Sequence, residues 1–230
     1  MNINIKNCEV NINTDTETLE IKGKPQSVAP AAEDVISTQH TYSMAGFMAN
    51  RNKVKIGDRI KLPAFTVPSV KMDGENVLEF DEKHINADEG IVIGKDENGD
   101  FILIFDHCLF ESAIDLNDEK RFEMTQLGQY LQSEFLRSMN YAGIPAKSCS
   151  LISKKEMFDD YALEYFKTGR NRIAFDFDED CSRHYWLSTL YTEVASSACF
   201  CLADGLGRSY YNRASGAYIF VRPRFVISAI

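Results

Sequence analysis

The sequence predicts an α+β fold built mainly from antiparallel strands, with one main amphipathic helix, long loops and an N-terminal β arm. Three observations carry that prediction. Residues 2 to 22 alternate apolar with polar positions, two apolar runs flank a turn at Asp96–Asp100, and an apolar stripe recurs at three and four residues from Met124 to Met139. No repeat of solenoid or propeller period is present.

Taken in order, Ile3, Ile5, Cys8, Val10, Ile12, Leu19 and Ile21 are separated by Asn, Lys, Glu and Thr, the pattern of two or three short half-solvated strands. So small a group of strands cannot bury a core of its own, so an arm and linker are expected over residues 1–29, packing on the main domain, a sister subunit or a host assembly. Pro30 followed by Ala31, Ala32, Glu33 and Asp34 reads as the first turn of a helix, with Pro tolerated there and acids favoured by the dipole. A helical connector over 30–53, running to about Asn50, follows from it, and the main domain is placed at 54–230. Within that domain Val77–Phe80 is a strand. Gly90–Lys95 and Phe101–Phe105 form a hairpin closed by the Asn98-Gly99 turn signal. Phe101–Phe105 is apolar at every position, which places it inside a sheet covered on both faces. Met124, Leu127, Leu131, Phe135 and Met139 form the face of the main helix, ended by Gly143-Ile144-Pro145. Ser153 and Glu156 fit a capping box that opens a short helix. From about Arg172 onward the pattern is strands and long loops.

Composition narrows the function. The 230 residues carry a net charge of -9, with 25 Lys plus Arg against 34 Asp plus Glu and no basic stripe, which argues against a nucleic-acid partner. No apolar run approaches the roughly 18–20 residues of a membrane span, and Met1–Asn7 lacks the basic start and apolar centre of a secretory signal, so synthesis and folding in a cytoplasm are expected. Six cysteines (Cys8, Cys108, Cys149, Cys181, Cys199 and Cys201) contain no CxxC pair and read as free, mostly buried thiols.

Catalytic signals are weak throughout. His40, His84, His107 and His184 are dispersed, and there is no HExxH, GxSxG elbow, Walker loop or GxGxxG. His184, beside Tyr185 and Trp186, reads as a packing residue rather than a base. Asp176, Asp178, Glu179 and Asp180 offer hard oxygen ligands of the kind calcium takes, yet lack the Asp/Asn alternation and Gly of a calcium loop and read as a solvated loop. Cys199 and Cys201, two apart on a strand, point to one face; with no third ligand nearby, two small core-facing residues is the better account than a soft-metal site. No cofactor, metal or catalytic residue is assigned.

What remains is a surface. Tyr191, Thr192, Ser196, Ser197, Ser209, Tyr210, Tyr211, Asn212 and Ser215 form the Tyr/Ser/Asn mixture of displayed paratopes, where Tyr supplies contact area and Ser and Asn adapt; the same mixture also fits the plain outward residues of antiparallel strands, where Tyr, Thr and Ser are common. Tyr191, Thr192, Ser209, Tyr210, Tyr211, Asn212 and Arg213 are the expected ligand-binding residues.

The blocks around this surface carry a resemblance. Glu89-Gly90 with Gly94-Lys95, Phe101–Phe105 followed by Asp106, Leu151-Ile152-Ser153 with Glu156, Trp186-Leu187-Ser188-Thr189 and Val221-Arg222-Pro223 together resemble an uncharacterised domain family of bacterial, prophage and phage proteins. That family usually ends in a WLRS or WLST block and a GVRPA-like strand. This chain departs from it with Ile219-Phe220 before the last block and Arg224 after it. The family is similar to the C-type-lectin-like fold of formylglycine-generating enzymes and of the variable proteins of diversity-generating retroelements.

The resemblance covers about 54–230 and implies a C-type-lectin-like domain in which Trp186, Arg222 and Pro223 are scaffold, Trp186 as a buried anchor and Arg222 clamping carbonyls or a carboxylate. It further implies a non-enzymatic, virion-associated protein of phage or prophage origin, made in the host bacterium. Such a protein would bind a protein or glycan receptor on the host cell surface, contact other virion proteins through the arm, and assemble as a homo-oligomer, a trimer being favoured. The rival readings are an oxidase of the formylglycine-generating type using Cys199 and Cys201, and a purely structural capsid or tail component.

Overall fold

A computed structural model describes residues 8–13, 18–23, 39–160, 162–177, 181–193 and 197–229. The chain divides into two compact units, Met1–Thr38 and Gln39–Ile230. In the first, β1 (Cys8–Asn13) and β2 (Thr18–Gly23) pair antiparallel, Cys8 opposite Gly23 and Asn13 opposite Thr18. The strand expected at Ile3 and Ile5, the linker before Pro30 and the helix start at Pro30 lie outside the described residues.

The second unit is mixed α+β, mostly strands with one main helix. It begins earlier than expected. A helix running unbroken to Asn50 is not what forms: β3 (Thr41–Tyr42) precedes a short α1 (Met44–Ala49), which Ser43 caps by accepting from the Gly46 amide at 3.1 Å. The reason is local, since Thr41 and Tyr42 favour extended backbone and Ser43 is a strong N-cap. Phe47 then buries completely against Phe101, so residues 39–53 belong to the main unit rather than to a connector.

After α1 come β4 (Arg59–Leu62), β5 (Phe65–Val67), β6 (Val70–Met72), β7 (Leu78–Phe80) and β8 (Lys83–Ile85). Phe65 pairs with Ile85 and Met72 with Leu78 in one continuous register, so β5–β8 and β6–β7 form a single ribbon interrupted at Pro68, which has no N–H to donate. Then follow β9 (Asp88–Lys95), β10 (Phe101–Phe105) and β11 (Phe110–Glu111). The β9–β10 turn is held by Asp96, whose carboxylate accepts from the amides of Asn98 and Asp100, and Gly99 sits at a φ of 82°.

The main helix is a run of α2 (Gln126–Tyr130), a π segment (Leu131–Phe135) and α3 (Leu136–Tyr141). Leu127, Leu131, Phe135 and Met139 are all fully buried at a strict spacing of four. An α-helix of about 3.6 residues per turn would rotate such a stripe off its face, and the wider π turn absorbs the drift. Met124, expected in the stripe, lies in a 3-10 turn (Phe122–Met124) ahead of the helix and is exposed, because Thr125 is the N-cap. Gly128 has no alternative there, since a Cβ would lie 2.0 Å from the Phe122 carbonyl oxygen.

The remaining elements are β12 (Ala146–Leu151), α4 (Lys154–Phe158), β13 (Tyr185–Leu190), β14 (Cys199–Ala203), β15 (Ser209–Arg213), β16 (Phe220–Val221) and β17 (Pro223–Ile227). The capping box is present: Ser153 accepts from the Glu156 amide while the Glu156 carboxylate accepts from the Ser153 amide. Two sheets result, ordered β12-β17-β10-β9-β4-β3 and β11-β16-β13-β14-β15. Pairing is antiparallel except for β3–β4 and β13–β16. In the six-stranded sheet Leu103, Phe105 and Phe225 face the main helix, while Ile102, Ile104 and Val226 join a second cluster with Tyr185, Leu187 and Phe166. Burial on both faces is why β10 is apolar at every position.

Candidate functional site

The expected binding residues come from two places, the end of β13 and the edge strand β15. Tyr191 is fixed by its amide, which donates to the Cys199 carbonyl at 2.7 Å across the β13–β14 connection. β15 pairs with β14 from Ser209 opposite Ala203 to Arg213 opposite Cys199, and its other edge meets no strand among the described residues. Ser209, Tyr210, Tyr211, Asn212 and Arg213 are all exposed, as is Thr192. The Tyr191 and Tyr211 rings stack with centroids 3.9 Å apart and 5° between planes, and Tyr210 lies 5.4 Å from Tyr211. Three tyrosines thus form one aromatic patch on a free sheet edge. The Tyr191 hydroxyl donates to Glu193 at 2.6 Å, and that carboxylate pushes the phenol up to about 12. Arg213 has no ion-pair partner among the described residues. Ser197 is half-buried, Ser215 is exposed, and Ser196 lies outside the described residues.

The three expected scaffold residues are all buried. Trp186 is wholly buried in β13, and its indole N–H donates to the Ser112 carbonyl at 2.8 Å. Pro223 is buried at the start of β17, where a missing N–H is tolerated. Arg222 is buried; its Nε donates to the Phe105 carbonyl at 2.8 Å, and its guanidinium lies 5.4 Å from the Tyr185 ring. Arg224 pairs with Glu156 at 3.6 Å.

A second site was not visible in the sequence. A cavity of about 340 Å³ is lined by Arg59, Asp106, His107, Tyr165, Arg170, Asn171, Ile173, Phe175 and Arg222. Arg59 bridges Glu89 at 2.7 Å and Asp106 at 2.5 Å. The His107 ring Nδ1 lies 2.7 Å from one Asp88 oxygen, and its backbone amide donates to the other. The Asp88 contact raises the His107 pKa, and Phe177 stacks on the ring at 4.4 Å. These residues come from the ends of β4, β9 and β10, the loop after α4 and the turn before β17. The signals along the chain were slight: Asp106-His107, polar residues directly after an unbroken apolar strand, and Arg222 in the Val221-Arg222-Pro223 block.

Asp88, Asp106 and His107 offer three possible metal ligands within 4.8 Å of one another. Each is already engaged, Asp106 by Arg59 and Asp88 by His107, so a cation would have to displace two pairs. Of the acidic loop weighed for calcium, Asp176 pairs with Arg183 at 2.6 Å, and residues 178–180 lie outside the described part. His184 is exposed rather than packed, because the two neighbours that fill the core are Tyr185 and Trp186.

Cys199 and Cys201 are 3% and 2% exposed. Burial raises the Cys201 thiol pKa, which keeps it in the poorly reactive protonated form. No helix among the described residues is long and apolar enough to cross a membrane. Comparison with family models, with curated proteins and with solved structures finds no match.

Proposed function

We propose that this chain is a non-enzymatic binding protein of phage or prophage origin. Its second unit is a C-type-lectin-like domain that presents the β15 edge to a protein or glycan receptor on a bacterial surface. One observation carries the reading: a strand exposed at all five positions, bearing Tyr211 stacked on Tyr191 and Tyr210 stacked on Tyr211. A free edge with aromatic residues is a liability in a soluble domain unless something binds it. Tyrosine patches beside an arginine are the expected hot spots of such a contact. The β1–β2 hairpin is then the segment that joins other virion proteins, and a trimer is the assembly the reading favours.

The test uses the full-length protein on a panel of bacterial cells and a glycan array. Saturable binding to at least one target is expected, weakened about thirtyfold or more in a Tyr210→Ala/Tyr211→Ala variant whose melting temperature is unchanged, as a hot-spot loss of about 2 kcal/mol requires. Binding by the variant at full strength, or by the wild type to no target, would sink the proposal. The oxidase reading finds little support in two thiols that are sealed from solvent.

A further inference from the structure

The cavity behind β10 holds a buried cation with unused capacity. A guanidinium has five N–H donors. Arg222 uses two of them, Nε to the Phe105 carbonyl and a long 3.4 Å contact from Nη1 to the Tyr185 hydroxyl. Nη2 has no hydrogen-bond partner among the described residues, and the side chain, though buried, forms part of the cavity wall. No carboxylate among the described residues lies within ion-pair distance of Arg222, although it is 2% exposed. A buried charge normally carries its counter-charge with it. At the mouth stands Arg170, exposed and likewise without an ion-pair partner among the described residues. Two unpaired guanidinium groups thus line one cavity in a protein whose net charge is -9.

We propose that this cavity binds a small organic monocarboxylate, its carboxylate held between Arg222 and Arg170 and its body against Ile173 and Phe175. Guanidinium forks match the planar carboxylate, and the cavity volume suits a small ligand. Charge selects one negative charge over two. Arg59, Arg170 and Arg222 are matched in number by Asp88, Glu89 and Asp106, and only His107 can add a further positive charge, so a dianionic phosphate would remain uncompensated. The Asn171 side-chain N–H is engaged with the Tyr165 carbonyl, which leaves its oxygen and the Tyr165 hydroxyl to meet a donor on the ligand.

The site is separate from the β15 edge, and the experiment keeps the two apart. Titration of the full chain with benzoate, phenyl phosphate and benzyl alcohol is followed by amide chemical shifts. Benzoate is expected to bind saturably at one site, phenyl phosphate more weakly and benzyl alcohol not at all. Arg170→Gln, at an exposed position whose side chain makes no hydrogen bond among the described residues, should weaken benzoate about tenfold or more while the fold persists, in keeping with the loss of a charge-assisted contact. Tyr210→Ala/Tyr211→Ala should leave benzoate affinity unchanged. The proposal is overturned if benzoate does not bind, if benzyl alcohol or phenyl phosphate binds as well as benzoate does, if Arg170→Gln binds like the wild type, or if the tyrosine variant loses the site.

Discussion

Two neighbouring strands of equal length, β14 and β15, are hydrogen-bonded to each other residue for residue, yet every position of Cys199–Ala203 is buried and every position of Ser209–Arg213 is exposed. Backbone pairing is therefore not what separates core from surface here. β14 has a strand on each side and a packed layer on each face, with Phe200 against Phe122 and Cys201 among Tyr185, Leu187 and Ala203. One step outward in the same sheet, β15 has no second strand neighbour among the described residues, and all five of its positions are exposed. Side chains there are exposed and pack only on one another and on Tyr191, which suits a recognition surface.

The contrast can be broken most directly by truncating one ring on each strand. Phe200→Ala should cost about 3–5 kcal/mol in urea unfolding, the range for a buried aromatic, whereas Tyr210→Ala should stay within about 0.5 kcal/mol. Similar losses at both sites would mean that β15 is covered after all. On the other flank of β14, Trp186→Phe retains most of the apolar volume but leaves the Ser112 carbonyl without its donor; a loss of about 1–3 kcal/mol is expected by the same measurement.

Alkylation sharpens the comparison from the chemical side. With native protein at pH 8, iodoacetamide should modify exposed Cys181 well before Cys108, Cys149, Cys199 or Cys201, as read by peptide mass mapping. Burial raises the thiol pKa of Cys108, Cys149 and Cys201, and the protonated form does not attack. Fast reaction at Cys199 or Cys201 would revive the oxidase reading. The smallest effect lies within the aromatic patch itself: a double-mutant cycle of Tyr191→Ala with Tyr211→Ala should give a coupling of about 0.5 kcal/mol, the low end for a stacked pair because these rings touch water. Zero coupling would mean that the stack is incidental and each tyrosine acts alone.

Much of the fold could be read locally. The β9–β10 hairpin, the stripe of Leu127, Leu131, Phe135 and Met139, and the Ser153/Glu156 capping box all depend on residues a few positions apart, where turn chemistry and periodicity act. Less of it was visible where the signal was short or broken. β5, β6 and β8 are three residues each, with Pro68 between β5 and β6, and the stretch expected to be helical up to Asn50 is extended at Thr41 and Tyr42. The tyrosine surface was suggested by composition, but its stacking was not, since Tyr191 and Tyr211 are brought together by the pairing of β13 with β14 and β14 with β15. The cavity left almost no trace along the chain. Arg222 stood out only as part of the Val221-Arg222-Pro223 block and His107 only as a polar residue after β10, while Arg59 and Arg170 lie on other elements with no pattern linking them.

The amino-acid sequence on its own therefore determined the class of fold, the position of the interior strand and main helix, and the polar aromatic character of the C-terminal edge, because periodicity and side-chain type act over short range. Only the tertiary structure decided that Arg222 would be a buried cation facing a cavity, that Asp106 and Asp88 would be engaged by Arg59 and His107 instead of standing free, and that β15 would be the outermost strand of its sheet among the described residues. Charges and edges are defined by what lies beside them. That is settled by how β4, β9, β10 and β17 assemble in space rather than by spacing along the chain.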